Sequence, residues 1–385
     1  MEQKRALVSL IMPIYRNQPY LRDAIQSVFA QDYHPLEIII QDDASPDDAF
    51  EIVKQMAEEY NGPHTIKIGK NKTNRAMENY NVMMRKASGH YIVVAHDDDI
   101  QNPDRVSRIM DAFEAYNVSM VSSNSVRISA DGAGLGPNHE MPEHQLRPQD
   151  YAEFGWSPQT HGASFAWTKD VFDSFGPLKN LSSPNVSDWV LPFRASLLRG
   201  IHYIQTPLLQ RRVHVKSRGA IGSTTDDIDI YRVERFSESI VQFTYLRATA
   251  DTALENKLIS KKLHNDLVEK IDKQLVASAR IFSHHRNRLL KRKQRVSWVP
   301  ADGGVTQADM PNLGVNDANL DLFINGGRMH KFPKGLKTRP NVIAAIKGSP
   351  WYVIAFKKPH RIHYWWTVRW LQAKFKYAAR EKINA

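Results

Sequence analysis

The stretch YIVVAHDDDIQNPDRV, residues 91–106, carries an apolar run straight into a histidine, three consecutive aspartates and, four residues on, a proline. Carboxylates crowded together raise one another's pKa. A strand that ends in Asp97, Asp98 and Asp99 therefore implies a cation that the chain itself does not supply. For an arbitrary run of aspartates a solvated loop or a helix N-cap ahead of Pro103 is the commoner explanation. What distinguishes this run is its place at the exit of a buried strand.

The same arrangement recurs outward from it. LVSLIMPIY (7–15), LEIIIQDD (36–43) and HTIKIGK (64–70) are short runs rich in Ile and Val, as expected of strands buried on both faces. Between them, PYLRDAIQSVFAQ sets Leu21, Ile25, Val28 and Phe29 at helical spacing. SPDDAFEIVKQMAEEY begins with an N-terminal capping signature and continues with Phe50, Val53, Met56 and Ala57. Strand alternating with helix predicts βαβ units, an α/β fold with a mostly parallel sheet flanked by helices. Ligands of such sheets gather at the carboxyl ends of the strands. Pro13 and Tyr15, Asp42 and Asp43, and Asp97 to Asp99 all fall there.

Further along, DRVSRIMDAFEAY reads as a helix and VSMVSSNSVRIS as a strand, while residues 131–148, rich in Gly, Pro and His, read as a long loop. GASFAWTKDVFDSFG predicts a strand and a short helix, VSDWVLPFRASLLRG a helix with Asp188 near its start, and IHYIQTPLLQRRVHVKS a closing strand. The boundary is expected near residue 222, giving a catalytic domain over 1–222 and a mainly helical, basic region over 223–385. The final segment, PHRIHYWWTVRWLQAKFKYAAREKI, puts Tyr364, Val368, Leu371, Phe375 and Ala378 on one helical stripe edged by Arg and Lys.

Composition narrows the chemistry. The 385 residues contain no cysteine, which removes disulfides, thiolate metal sites and cysteine nucleophiles and fits a reducing compartment. The apolar run near the start ends at Pro13, short for a signal peptide, and no window reaches the length of a membrane span. A cytoplasmic protein is expected, peripheral at the inner face of the membrane if the basic region binds it. Net charge is +11, yet residues 1–220 carry 23 Lys and Arg against 26 Asp and Glu. The positive charge thus belongs to the second part. Its solvated helical faces explain it blandly; attachment of the aromatic, basic helix to an anionic membrane surface explains it functionally. The acidic first part argues against nucleic acid as a partner.

No glycine-rich phosphate loop follows any of these strands. A nucleotide held without one needs a metal and side chains for its phosphates, and aspartates at a strand exit suit Mg2+ or Mn2+. An Asp after the second strand can accept bonds from a base or ribose, whereas Ser45 and Asp47 are better placed to cap the following helix.

In this order and spacing, VSLIMPIYRNQPYLRDAIQSVFAQDY, EIIIQDDAS, ASGHYIVVAHDDDIQNPDRV and SDWVLPFR resemble the inverting family 2 glycosyltransferases of the GT-A fold over residues 7–217. The resemblance implies that Pro13, Tyr15 and Asp43, with Asp42 beside them, hold the base and ribose of a nucleotide-diphosphate sugar donor, and that Arg75 reaches the base or diphosphate. It places Asp98 on the last Asp of the family's DxD metal motif, with a divalent metal as cofactor; the first position of that motif is His96 here, so Asp97 is left to contact ribose or a metal-bound water. Asp188 falls on the catalytic base of the family's ED motif, here SD. His214, in RRVHVKS, is a further metal or phosphate ligand or a plain surface histidine. Trp156, His161 and Gly162 fall on the acceptor side, where Trp156 offers an aromatic face to a sugar ring or is simply core. The activity implied is inverting transfer to a hydroxyl of a glycan or lipid-linked acceptor, as in bacterial surface polysaccharide synthesis. A glycan-binding module without turnover, a glycoside hydrolase and a nucleotidyltransferase are the competing readings.

Overall fold

A computed structural model describes residues 5–16, 19–138, 141–150, 161–178, 186–214 and 228–291. Ten strands form one sheet in the order β3-β2-β1-β4-β9-β6-β10-β5, with β7 beside β6 and β8 beside β10. The strands β1 (Val8–Ile14), β2 (Leu36–Asp42), β3 (Thr65–Lys70) and β4 (Tyr91–Val94) are those read from the Ile- and Val-rich runs. They pair in parallel, as the βαβ pattern predicts.

Burial on both faces explains why β1, β2 and β4 lack polar alternation; β3, expected to be buried likewise, is a half-exposed edge strand that alternates Ile66 and Ile68 with Thr65 and Lys67. Ile11, Ile39, Ile92 and Val94 belong to one apolar cluster, while Leu10, Met12, Ile38, Ile40 and Val93 belong to another on the opposite face. Successive side chains of a strand point to opposite faces, so each run feeds two cores. One face is covered by α1 (Leu21–Phe29), α2 (Ala49–Glu58) and α4 (Arg105–Ala115). In α1, Leu21, Ala24, Ile25 and Val28 form the buried stripe. The other face is covered by α3 (Glu78–Lys86), α5 (Asp170–Asp173) and α6 (Val186–Leu198).

Beyond β4 the sheet becomes mixed. A short strand, β5 (Ile100–Gln101), follows the aspartates, and β6 (Met120–Ile128) pairs in parallel with β10 (Ile201–Arg212). Between β4 and β6 runs β9 (Ala166–Thr168), antiparallel to both. The stretch expected as a long loop contributes two strands, β7 (Gly134–Pro137) and β8 (His144–Leu146), pinned antiparallel to β6 and β10. Gly-Leu-Gly-Pro has no β-branched residue to announce a strand; its pairing comes from the neighbouring edge.

Two further helices, α7 (Ile228–Glu255) and α8 (Lys261–Lys291), follow β10. Phe243, Tyr245, Leu246, Ala250, Leu267 and Ile271 join the same apolar cluster as Val190, Leu191 and Phe193 of α6. Where they begin and end facing one another, buried Asp229 pairs with His285 at 2.5 Å and with Arg288 at 3.1 Å. The boundary expected near residue 222 and the aromatic, basic helix of the final segment lie outside the described residues. No helix among the described residues is long and apolar enough to cross a membrane.

At the amino ends of the parallel strands, buried Glu37 is held by the Ser9 hydroxyl, by the Ser88 amide at 2.6 Å and by Lys67 at 2.6 Å. Burial pushes its carboxyl up, but the bonds from Lys67, Ser9 and Ser88 outweigh it and hold the pKa below the ordinary glutamate value. Stability from this group is therefore fully present above about pH 4.3 and is lost as pH falls through the depressed folded pKa. Glu37→Gln is expected to cost about 2 kcal/mol in urea unfolding at neutral pH. The gap to wild type should shrink below pH 4; a gap independent of pH would remove the ionised pair from this account.

Candidate functional site

The order β3-β2-β1-β4 puts a topological switch at β1, whose neighbours on either side come from different crossovers. In open α/β sheets the crevice that takes ligands lies outside the carboxyl ends at such a switch. Its two banks carry the acids. On one bank, the Asp43 amide donates to Ile14 O at 2.9 Å; on the other, Asp97 Oδ2 accepts from the Tyr15 amide at 3.3 Å. Pro13, in register with Gln41, and Tyr15 thus line the end of β1 between Asp43 and Asp97.

Asp42 and Asp43 divide their work. Asp42 is fully buried and accepts from the Ser45 amide at 3.2 Å and from the Ser45 hydroxyl, with Lys70 3.6 Å away. It closes its own turn, in which Ala44 has a positive φ of 61°. Ser45 also accepts from the Arg16 amide at 2.7 Å, so it ties the ends of β1 and β2 together. The capping role expected of Ser45 falls to Asp47, whose Oδ1 lies 3.3 Å from the Ala49 amide. Asp43 instead builds the neighbouring loop. Its Oδ1 accepts from Asn71 Nδ2 at 2.7 Å and the Arg75 amide at 2.8 Å, and its Oδ2 from the Ala76 amide at 2.8 Å. Arg75 enters the site through its backbone, while its exposed guanidinium stands 4.0 Å from Glu78.

Of the three aspartates, Asp98 and Asp99 gather with His96. One potential ligand atom from each lies within 4.8 Å of the others. His96, at the first position of the motif, is thus part of the cluster, with Nδ1 3.9 Å from Asp99 Oδ2. Asp98 Oδ2 is 3.1 Å from His214 Nε2, and His214 packs against Tyr20 with ring centroids 5.2 Å apart. Asp99 is buried and accepts from the Arg212 amide at 2.8 Å. Burial and the charge of Asp98 push its carboxyl up to about 8 against the Arg212 amide and Arg211, with Asp97 adding to the rise. Two carboxylates and an imidazole form a donor set that suits Mn2+ or a similar divalent ion. Placed among them, such a charge would reverse the mutual repulsion.

Arg212, quoted only as part of a basic stretch, holds this rim together. Its side chain donates to Asp98 O at 3.2 Å and Ala130 O at 3.0 Å and stacks over the Tyr20 ring at 4.3 Å.

Asp188 sits in the first turn of α6. Its carboxyl meets the turn Gly162–Ser164, and a Cβ on Gly162 would stand 2.5 Å from Asp188 Oδ1. Burial pushes the carboxyl above the ordinary aspartate value, while His96, Ser187, the Gly162 amide and Arg211 pull it down. The charges of His96 and Arg211 reach both Asp188 and the Asp99 side of the rim, so the predicted base and the predicted metal ligands share one neighbourhood. His161 adjoins it, with Nε2 3.3 Å from Ser125 Oγ. Fully buried Ser122 of β6 ties that strand to the turn, with its Oγ 2.7 Å from Ser164 Oγ. Trp156 lies outside the described residues.

Gly162→Ala is expected to displace the Asp188 carboxylate. A misplacement of about 1 Å costs on the order of 10²-fold in rate, so turnover should fall by that order while the melting temperature changes little. Wild-type turnover in this variant would show that the seat on Gly162 is unimportant.

Residues 9–174 match the sequence profile of Glycosyl transferase family 2. EpsE of Bacillus subtilis, which bears a glycosyltransferase name, is 37% identical over 102 residues, covering 26% of this chain and 36% of EpsE. The uncharacterized glycosyltransferase alr2836 of a Nostoc species is 25% identical over 214 residues, covering 54% of this chain and 65% of that protein. The chain thus spans between about a third and two thirds of these relatives. The structure of S. aureus TarS 1-349 in complex with UDP-GlcNAc superposes over 83% of this chain and 81% of that one, with a TM-score of 0.48 and 15% identity.

Proposed function

We propose, from the match of residues 9–174 to the glycosyl transferase family 2 profile, that the chain is an inverting, metal-assisted glycosyltransferase. It moves a sugar from a nucleotide-diphosphate donor to a hydroxyl of a glycan or lipid-linked acceptor. The observation that carries this reading is the convergence of two separate acid groups on one crevice: His96, Asp98 and Asp99 after β4, and Asp188 on the Gly162 turn.

The donor's nucleoside lies along the end of β1, between Asp43 with its loop on one bank and Asp97 on the other. Its diphosphate faces the acidic rim. His96, Asp98 and Asp99 would hold a divalent ion there, and the ion would neutralise the charge that develops on the departing diphosphate. Arg211 lends positive charge on the same side, and His214 is oriented by its contact with Asp98. Asp188 accepts the proton of the acceptor hydroxyl as that oxygen attacks the anomeric carbon from the face opposite the leaving group. A carboxyl raised by burial is a stronger base than one in water, which serves this step. Half-buried His161 supplies a hydrogen-bonding partner for a hydroxylated acceptor. One displacement inverts the anomeric configuration.

UDP-glucose, UDP-galactose, UDP-N-acetylglucosamine and GDP-mannose, each with Mg2+ or Mn2+, form the panel that tests the donor. A bound donor at 100 times its Kd stabilises the folded chain by about 2.7 kcal/mol, so at least one pair should raise the melting temperature. Incubating that donor with and without a glycan acceptor separates transfer from hydrolysis. A panel in which no nucleotide sugar stabilises the chain with either metal would count against the reading.

A further inference from the structure

Arg105 opens α4, two residues after Pro103, and its side chain is completely buried. It lies on the same stripe as Ile109 and Phe113, where a leucine would complete the core. Replacing buried ions by apolar residues of similar volume is often neutral or stabilising. A guanidinium at this point is therefore not explained by stability.

Its bonds point to another explanation. One terminal nitrogen donates to Val94 O at 2.7 Å, at the end of β4, and to Gln101 Oε1 at 2.6 Å, just beyond the aspartates. The other donates to Ala163 O at 3.2 Å, in the turn that seats Asp188. Its Nε has no hydrogen-bond partner, so the group is placed for these acceptors rather than for its own full solvation. The planar fork of Arg can span two backbone segments at fixed separation, which the single point of a Lys cannot do.

We infer that Arg105 is a positioning residue that fixes the distance between the acidic rim following β4 and the Gly162–Ser164 turn carrying Asp188. The inference rests on the reading of that crevice as a glycosyltransferase site, but its geometric part is separable from it. Arg105 touches neither donor nor acceptor in this scheme. It acts by making two segments, far apart in sequence, move as one body. Beside it, β4 and the strand that follows this turn are joined by the β4–β9 ladder, which the Val94 amide extends by bonding Phe165 O at 2.9 Å.

Hydrogen exchange of the full chain, read by mass spectrometry, is the primary test, on wild type, Arg105→Lys and Arg105→Met. In Arg105→Met, amides of residues 94–101 and 162–166 should exchange about tenfold faster together, with β1 to β3 unchanged. Arg105→Lys should show a smaller, still paired effect, and it alone decides the matter if the Met variant does not fold. Nucleoside diphosphate release from the four nucleotide sugars named above, with MnCl2, is the second readout. Arg105→Met should lower kcat about 10²-fold with little change in donor KM. Combined with Asp188→Asn, it should be no slower than Asp188→Asn alone. Exchange that rises throughout the chain or in only one segment, or losses that multiply in the double variant, would overturn the inference. Paired exchange without release from any sugar would support the clamp and count against the glycosyltransferase reading.

Discussion

Asp188→Asn is expected to cut sugar transfer by roughly 10²- to 10⁴-fold, the usual contribution of a positioned general base. Asparagine keeps the shape and still accepts a bond from the Gly162 amide, but it cannot take the proton of an acceptor hydroxyl. Because the proposed scheme has Asp188 meet the acceptor and not the donor, donor affinity should stay within about threefold. Steady-state kinetics with the donor identified by thermal shift check both halves. A variant that transfers at the wild-type rate would remove Asp188 from the chemistry and leave the buried carboxyl with a structural role only.

Asp98→Ala carries the second large effect, in binding rather than in proton transfer. Asp98 contributes an oxygen to the cluster with His96 and Asp99 and also fixes His214 at 3.1 Å. Loss of a supporting partner alone typically costs 10- to 100-fold in metal affinity, so loss of a ligand and its partner's anchor should cost more than about 10²-fold. Titration of Mn2+ by its electron paramagnetic signal, with and without donor, measures this directly. In wild type, chelation by EDTA should abolish turnover and added Mn2+ should restore it; Asp98→Ala should not be restored at the same concentration. An Asp98→Ala variant with full activity in EDTA would contradict the metal-assisted reading.

The sheet was legible because burial leaves a simple mark. Leu10, Ile11 and Met12 face two different cores in turn, so no position in that run tolerates a charge, and the charges collect where the strand ends. That is why Asp43, Asp97 and Asp98 can be picked from sequence at strand ends, whereas Asp188, in the first turn of α6, is signalled only by the resemblance of its segment to the ED motif. The division of labour among them is not written in the same way. Asp42 and Asp43 are adjacent and identical, yet one closes its own turn with Ser45 while the other organises residues 71–76. Only tertiary contacts separate them. His96 and Asp99 join the cluster because the chain turns between β4 and β5, a bend that a run of polar residues does not specify. Arg105 is the instructive omission. A charged residue in an amphipathic helix is ordinarily solvated, and the only sequence signal against that is its position four and eight residues before Ile109 and Phe113.

The most direct test is the position of the metal. Crystals grown with MnCl2 and a nucleoside diphosphate, examined by anomalous diffraction, should show a manganese peak bounded by Asp98 and its neighbours His96 and Asp99. The diphosphate should lie on one side of it and the Asp188 carboxylate across the crevice. A nucleotide bound away from the carboxyl end of β1, or manganese elsewhere on the chain, would contradict the account at its centre.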